Sequence, residues 1–321
     1  MDPFHISMTI LLVAIPVTFF AGLLTRNYSH VDRLWSILPP VYALVWLPGF
    51  SENPRYLIAA GLVIAWGVRL TANFAVKGGY AFSLAKKGFY EEDYRWPVLK
   101  EKIPNRVAFE LFNLFFISGF QLALITAFTL PLYELGSVDA PLGWSDLLLF
   151  TLWALLLLLE TIADLQQLAY YKKRSRPAHG ADPRIRLGFN TYGLWRFSRH
   201  PNYVCELSQW IVLYLVLYTS TGQHHLSGLG ALVLVILFIG STAMAEGITS
   251  SKYPAYALWK RATPAWLPFD LYLTRLKSRR DFWAMLREEP ERLVRPSSSM
   301  SSPDQTTDAV SNERSSLAAS G

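Results

Sequence analysis

Residues 144–169 of the chain read WSDLLLFTLWALLLLLETIADLQQLA, and this stretch predicts a membrane protein. It contains no Lys or Arg, and a run of about 20 mostly apolar residues is long enough to cross a bilayer as an α-helix. The stretch nevertheless carries Glu160 and Asp164 four positions apart, so the two carboxyl groups share one helix face. The sequence therefore predicts a membrane helix with an acidic face.

The composition of the whole chain extends this prediction beyond one helix. Hydrophobic residues make up 52% of the 321 residues and charged residues only 17%, whereas a soluble protein carries about 25% charged residues. Basic residues lie between apolar blocks, which excludes a nucleic-acid-binding module despite a net charge of +6. A single cysteine, Cys205, excludes an intrachain disulfide framework. We therefore expect an all-α, polytopic integral membrane protein in a lipid bilayer.

The distribution of Lys and Arg predicts the topology. The loops 25–34, 77–106 and 170–202 hold 2, 7 and 8 of these residues, and residues 249–321 hold 11. With seven crossings all four regions share one side, which the positive-inside rule makes cytosolic. We expect about seven transmembrane helices with a cytosolic C-terminus, and the absence of a recognised sorting signal favours the endoplasmic reticulum membrane. The expected spans are 8–24, 35–50, 56–76, 107–130, 144–169, 203–221 and 226–248.

Two regions of different character divide the chain. Residues 1–295 form the expected membrane domain, and its signature region is 160–270. Residues 296–321 are polar and Ser-rich, with almost no large apolar side chain. Such a segment cannot bury enough surface to offset its ordering entropy. We predict a disordered cytosolic tail.

Ionisable residues inside the expected spans indicate a functional cavity. Charged groups in membrane helices are costly and by default mark a pathway or a site. Helix ends, headgroup contacts and structural ion pairs are the alternative explanation for some of them. Six such residues together nevertheless favour a polar cavity within the bundle. They are Arg69, Glu110, Glu160, Asp164, Glu206 and Glu246.

The densest polar patch is GLWRFSRHPNYVCELSQW, residues 193–210. Pro201 biases the preceding residue towards extended backbone and predicts that a helix starts at Pro201 or Asn202. Tyr203 and Glu206 then share the inner face of that helix at i,i+3. Arg196 and Arg199 beside a helix N-terminus suit phosphate or pyrophosphate. Snorkelling arginines and interfacial aromatic side chains are the alternative interpretation of this patch.

The same stretch resembles the C-terminal signature of membrane sterol and steroid reductases. RHPNY with an acidic residue three positions later carries this resemblance, together with KYPAYALW at 252–259. The order DRLWS (32–36), RLTANF (69–74), GGY (78–80), EDYRW (92–96), ETIADLQ (160–166) and SRHPNYVCE resembles the DUF1295 family, which is classed with the steroid 5α-reductase C-terminal family. Members of these families are polytopic and NADPH-dependent, and they reduce enone-type double bonds of lipophilic substrates, so the resemblance implies the same activity here.

The resemblance implies roles for individual residues. Asp164 matches an acidic residue that helps to hold NADPH, and Glu206 with Tyr203 are the expected catalytic pair, either of which would donate the proton. Two features depart from the family pattern. The sterol reductases carry Asp at the position of Glu206, and the N-terminal motif of catalytic Glu and Tyr in the 5α-reductases has no secure match in this sequence. The expected cofactor-binding residues are Asp164, Arg196, Arg199, His200, Asn202, Tyr253 and Tyr256.

A different chemistry shares part of this signature. Isoprenylcysteine and phospholipid methyltransferases of the membrane also carry RHP-x-Y, followed by an acidic helix and a Y-x-x-Y element, which Glu246 and Tyr253-x-x-Tyr256 match. Asn202, Glu206 and Asp164 favour an NADPH-dependent reductase of a lipophilic enone or a sterol-like C=C bond. An S-adenosylmethionine-dependent methyltransferase is the alternative, and a non-enzymatic scaffold or transporter is a third possibility. No second His or Cys stands at ligand spacing beside His200, so we expect no metal.

Overall fold

A computed structural model describes residues 2–83, 88–89, 91–175, 182–266 and 275–294 of the chain. The predicted disordered tail, residues 296–321, lies outside the described residues, and its disorder stays a prediction.

Helices account for nearly all of the described architecture. Apolar segments form them because a backbone in lipid must satisfy its own hydrogen bonds. The single β element is a hairpin of two-residue strands, β1 (Phe82–Ser83) and β2 (Gly88–Phe89), in the described part of the chain. The α-helices are α1 (Pro3–Thr25), α2 (His30–Trp35), α3 (Leu38–Phe50), α4 (Pro54–Val76), α5 (Arg95–Lys102), α6 (Arg106–Phe112), α7 (Gln121–Gly136), α8 (Trp144–Arg174), α9 (Pro183–Arg186), α10 (Pro201–Thr221), α11 (Gly228–Lys252), α12 (Tyr256–Ala262), α13 (Leu276–Glu288) and α14 (Pro290–Val294).

Five of these stretches are long and apolar enough to cross a membrane. They are α1, α4, the continuous stretch Arg106–Gly136, α8 and α11. The all-α membrane bundle is thus confirmed, but the count of seven is not. The expected span 35–50 contains α3, whose 13 residues are shorter than the roughly 20 that cross a bilayer. The expected span 203–221 lies within α10, which has 21 residues but carries Glu206 and Gln209 in its first half.

The basic loops gather at one end of the bundle. Backbone amides and side chains of residues 27–33 hydrogen-bond with residues 79–93, and Arg199 N donates to the carbonyl of Pro264. At the opposite end, Phe4 packs against Tyr133, and the Asn53 amide donates to the carbonyls of Leu135, Gly136 and Val138 at the end of α7 and just after it. Lys77, Arg174 and Lys252, from the other three basic regions, line a common cavity. The described parts of the predicted cytosolic regions therefore share one end, which we call the basic end. That this end faces the cytosol stays a prediction.

Aromatic side chains fill the centre of the bundle. Trp210 of α10 lies edge-on against Trp66 of α4, with ring centroids 4.9 Å apart, and contacts Phe128 of α7 at 4.3 Å. Trp153 of α8 donates its indole N–H to the carbonyl of Gln209 at 2.7 Å. These contacts fix α4, α7 and α8 around α10, which is the helix that carries the signature residues.

A buried ion pair closes the end opposite the basic loops. Arg55, at the start of α4, donates to both carboxylate oxygens of Asp146 at 2.9 Å and to the carbonyls of Ala140 and Pro141. The Arg55 side chain is only 2% exposed and that of Asp146 only 4%. The pair thus joins α4 to the start of α8.

Arg55→Ala is expected to destabilise the protein by about 3–5 kcal/mol, because it leaves a buried carboxylate without its counter-ion. Thermal unfolding of the purified protein in detergent measures the loss. Arg106→Ala is the matched control, since Arg106 is exposed. Substitutions at exposed positions change the free energy of unfolding by no more than about 0.5 kcal/mol. Equal melting of the two variants would contradict a structural role for the pair.

Candidate functional site

A buried charge cluster joins α4 to α8. Arg69 extends from α4 and forms ion pairs with Glu160 at 2.6 Å and with Asp164 at 2.7 Å. Asn73, one turn further along α4, donates to the same Asp164 oxygen at 2.9 Å. The acidic face predicted for the stretch 144–169 is therefore real, and Arg69 supplies its counter-charge.

The signature residues meet this cluster from α10. Pro201 is the first residue of that helix, as the sequence predicts. The amide of the next residue, Asn202, donates to Asp164 at 3.5 Å, and Gln209, about two turns further along α10, donates to Glu160 at 2.7 Å. Glu206 lies between them and is 8% exposed. Three helices thus converge on one set of buried polar side chains.

Several polar atoms of this cluster have no hydrogen-bond partner among the described residues. They include Oδ1 of Asn202 and Oε1 of Glu206, both buried. The Tyr203 hydroxyl likewise has no hydrogen bond with any described residue, while its ring stacks on His200 with centroids 5.1 Å apart. Buried polar groups are normally satisfied. Unpartnered atoms on one face of α10 are therefore the atoms available to a ligand.

The arginine of the signature is held inside the protein. Arg199 pairs with Glu246 of α11 at 2.6 Å and donates to the carbonyls of Lys260 and Thr263. Glu246 also accepts from His200 at 3.2 Å and contacts Lys260 at 3.1 Å. This network fixes α11 and α12 against the start of α10. It also forms part of a cavity wall.

The first cavity, of about 720 Å³, opens at the basic end and is called the polar cavity. Asp164, Asn202, Tyr203 and His200 line its inner part. Exposed cationic residues stand at its rim: Lys77, Arg174 and Lys252. Burial raises the pKa of Tyr256, another wall residue, so its hydroxyl stays protonated. Aromatic rings complete the wall, among them Tyr94, Tyr253 and Trp259.

The second cavity, of about 740 Å³, has a mostly apolar lining and is called the apolar cavity. Phe112, Phe116 and Phe120 stack along one wall with centroids 4.9 and 5.4 Å apart. The last two rings belong to a π-helical segment, Asn113–Phe120, joining α6 to α7, and such segments are frequent at functional sites. The facing wall is α11, with Ile236, Leu237 and Met244 among its side chains.

The two cavities share six lining residues: Phe74, Lys77, Asp93, Asp164, Asn202 and Tyr203. Glu206 lines only the apolar cavity. A ligand that enters from the basic end and one that occupies the apolar cavity would therefore meet beside Tyr203. The arrangement can bring two reactants together at a polar junction.

The structure gathers most, but not all, of the sequence-predicted site residues. Asp164, Arg199, His200, Asn202, Tyr203, Tyr253 and Tyr256 all line the polar cavity. Arg196 does not: it is exposed, and its guanidinium lies over the Trp283 ring at 4.9 Å. Arg174, rather than Arg196, lies at the rim of the polar cavity, where its guanidinium donates to the Tyr253 hydroxyl at 2.7 Å.

One charged pair at the junction has no role in the sequence-based predictions. Asp93 and Arg95 line the apolar cavity, and Arg95 Nε donates to Asp93 at 2.7 Å. Burial would lower the pKa of Arg95, but the carboxylates of Asp93 and Asp32 outweigh it and raise that pKa. In the sequence, the adjacent opposite charges within EDYRW are the feature that could have indicated this pair.

No group of three or more His, Cys, Asp or Glu residues placed to hold a metal occurs in the described ranges.

Comparisons with known proteins place the chain in a family. The family model described as "Protein of unknown function (DUF1295)" matches residues 18–263. An uncharacterized protein of Schizosaccharomyces pombe is 32% identical over 285 residues, which cover 83% of this chain and 80% of the relative. No solved structure matches. The matched region runs from the last third of α1 to the end of α12 and includes the helices around the two cavities. The chain therefore belongs to the DUF1295 family.

Proposed function

We propose that the protein is a membrane-embedded, NADPH-dependent reductase of a C=C bond in a lipophilic enone or sterol-like substrate. The observation that carries the proposal is the meeting of a polar and an apolar cavity at Asp164, Asn202 and Tyr203. A reductase of this kind needs a water-soluble cofactor and a membrane-soluble substrate in contact. Family membership is consistent with a membrane enzyme.

The residues of the polar cavity fit a nicotinamide dinucleotide phosphate. Lys77, Arg174 and Lys252 at the rim offer positive charge to phosphate groups. Asn202 Oδ1 is a buried acceptor without a partner among the described residues, which suits an amide donor such as the nicotinamide carboxamide. Arg199 serves this cavity by holding Glu246 and the carbonyls at the end of α12, which positions Tyr256 and His200 in the wall.

Bound NADPH would supply the hydride for one carbon of the double bond. The chain's own task is to orient the two reactants, to exclude water and to give a proton to the other carbon. The Tyr203 hydroxyl is our assignment for the donor because it borders both cavities and has no competing hydrogen bond among the described residues. Glu206, one turn further along α10, lines the apolar cavity behind it and would replenish that proton.

One observation favours the alternative function, S-adenosylmethionine-dependent methyl transfer. The polar cavity is rich in aromatic rings, including Tyr94, Tyr256 and Trp259, and such rings attract a cationic sulfonium group. The unpartnered acceptors at the junction and the separate apolar cavity favour the reductase.

Calorimetric titration of the purified full-length protein in detergent with NADPH and with S-adenosylmethionine tests the proposal. We expect saturable NADPH binding and none of S-adenosylmethionine. The opposite pattern would replace the reductase by the methyltransferase, and binding of neither would support a non-enzymatic scaffold or transporter.

Arg174→Ala is expected to weaken NADPH binding about tenfold. A charge-assisted hydrogen bond contributes roughly 1.5–3 kcal/mol, and solvent at the exposed rim screens part of it. The same titration measures the effect. Lys172→Ala is the control, since this neighbouring basic residue is exposed and does not line the cavity. An Arg174→Ala variant with wild-type affinity would remove Arg174 from the phosphate site.

A further inference from the structure

The apolar cavity opens towards the region that lipid would occupy. Three of its lining residues are exposed on helices α11 and Asn113–Phe120: Phe120, Ile236 and Gly240. α11 and the stretch containing Phe120 are both long and apolar enough to span a membrane. A gap between them therefore faces acyl chains rather than water. A Cβ added at Gly240 would meet no atom within 4 Å, so this position leaves the opening clear.

The inner end of the same cavity is acidic. Five carboxyl side chains line the cavity, but only two cationic side chains, Lys77 and Arg95, do so. Arg69 is not a lining residue and pairs with two of these carboxyl groups. Glu206 Oε1 is buried there without a partner among the described residues. Asp32 accepts from the Trp96 indole at 2.8 Å, while its other oxygen lies 3.8 Å from Arg95, beyond hydrogen-bond distance. The five carboxyl groups belong to Asp32, Asp93, Glu160, Asp164 and Glu206.

We propose that the apolar cavity admits, through the opening at Gly240, membrane lipids whose small polar head donates hydrogen bonds, and that it excludes lipids with an anionic head. The head is a hydroxyl or ammonium group and lies at Asp32 and Glu206. The apolar body lies between the phenylalanine stack and α11. An anionic head would be desolvated beside an excess of carboxyl groups, which is strongly unfavourable. Identifying the bound lipid as the substrate rests on the proposed reductase function, but the binding itself does not.

Binding of three radiolabelled probes to the full-length protein in detergent, without NADPH, tests the head-group selectivity. Oleyl alcohol, oleylamine and oleic acid share one chain and differ in the head. We expect the alcohol and the amine to bind saturably and the acid at least about tenfold more weakly. Asp32→Asn should weaken the amine about tenfold and leave the alcohol within a few-fold. Equal or tighter binding of the acid, or an amine affinity unchanged by Asp32→Asn, would overturn the head-group assignment.

Two glycines of α11 test the entrance. Gly240→Trp should abolish binding of oleyl alcohol, because the indole would fill the opening. Gly247→Trp is the matched control: this glycine is exposed, a Cβ there also meets nothing within 4 Å, and it lines neither cavity. Wild-type binding by Gly240→Trp, or equal loss in both variants, would contradict this entrance.

NADPH titration of the same variants separates the two proposals. Lipid binding without NADPH binding contradicts only the reductase, and NADPH binding without lipid binding contradicts only this inference.

Discussion

Tyr203→Phe is expected to lower turnover by about 100- to 10,000-fold, the range that a positioned general acid contributes, while NADPH affinity changes by no more than a few-fold. The variant removes one hydroxyl that has no hydrogen bond within the described part of the chain, so the fold loses nothing. The ring, its stacking on His200 and its contact with Phe238 all remain. Loss of activity would therefore reflect the missing proton donor.

Deuterium transfer measures this turnover without a known substrate. NADPH labelled on the nicotinamide is incubated with the protein and a membrane lipid extract, and mass spectrometry detects the deuterated lipid. Tyr94→Phe is the matched control, because Tyr94 lines the polar cavity and not the apolar one. Wild-type incorporation by Tyr203→Phe would exclude the hydroxyl as donor. A larger loss in Glu206→Gln than in Tyr203→Phe would transfer that role to Glu206.

The apolar helices could be predicted from the sequence because a bilayer imposes a length and a composition on each span. The stretch 144–169 lies wholly within α8, and its Glu160 and Asp164 face the interior as their spacing predicts. The start of α10 at Pro201 follows from the restricted backbone of proline. These features depend on neighbours within a few positions, which is why one sequence suffices for them.

The partners of the signature arginines could not be predicted in the same way. Arg199 pairs with Glu246, 47 positions away, and Arg196 points instead to Trp283. Both contacts depend on how α11 to α13 pack, and that packing is set by the whole bundle. From the sequence, the six ionisable residues inside the expected spans predict a single polar cavity. The division into a polar and an apolar cavity appears only when the π-helical segment and α11 are brought face to face.

Arg69→Ala is expected to lower the free energy of unfolding by about 3–5 kcal/mol, the cost of removing one partner from a buried ion pair. The Arg69 side chain is 11% exposed, and its guanidinium contacts both Glu160, which is 1% exposed, and Asp164, which is 7% exposed. No other cation lies as close to these carboxylates among the described residues, since Lys77 is 4.0 Å from Asp164 and 42% exposed. The variant would thus leave two buried carboxylates without their counter-charge.

Thermal unfolding in detergent measures this loss, and a compensated variant identifies its cause. Adding Glu160→Gln and Asp164→Asn to Arg69→Ala removes the unpaired charges while keeping the side-chain shapes, so most of the stability should return. A triple variant as unstable as Arg69→Ala alone would show that packing, not charge, sets the cost. Because Asp164 also lines the polar cavity, the triple variant should regain stability without regaining NADPH affinity. That separation would show that Arg69 stabilises the fold while Asp164 serves the cofactor.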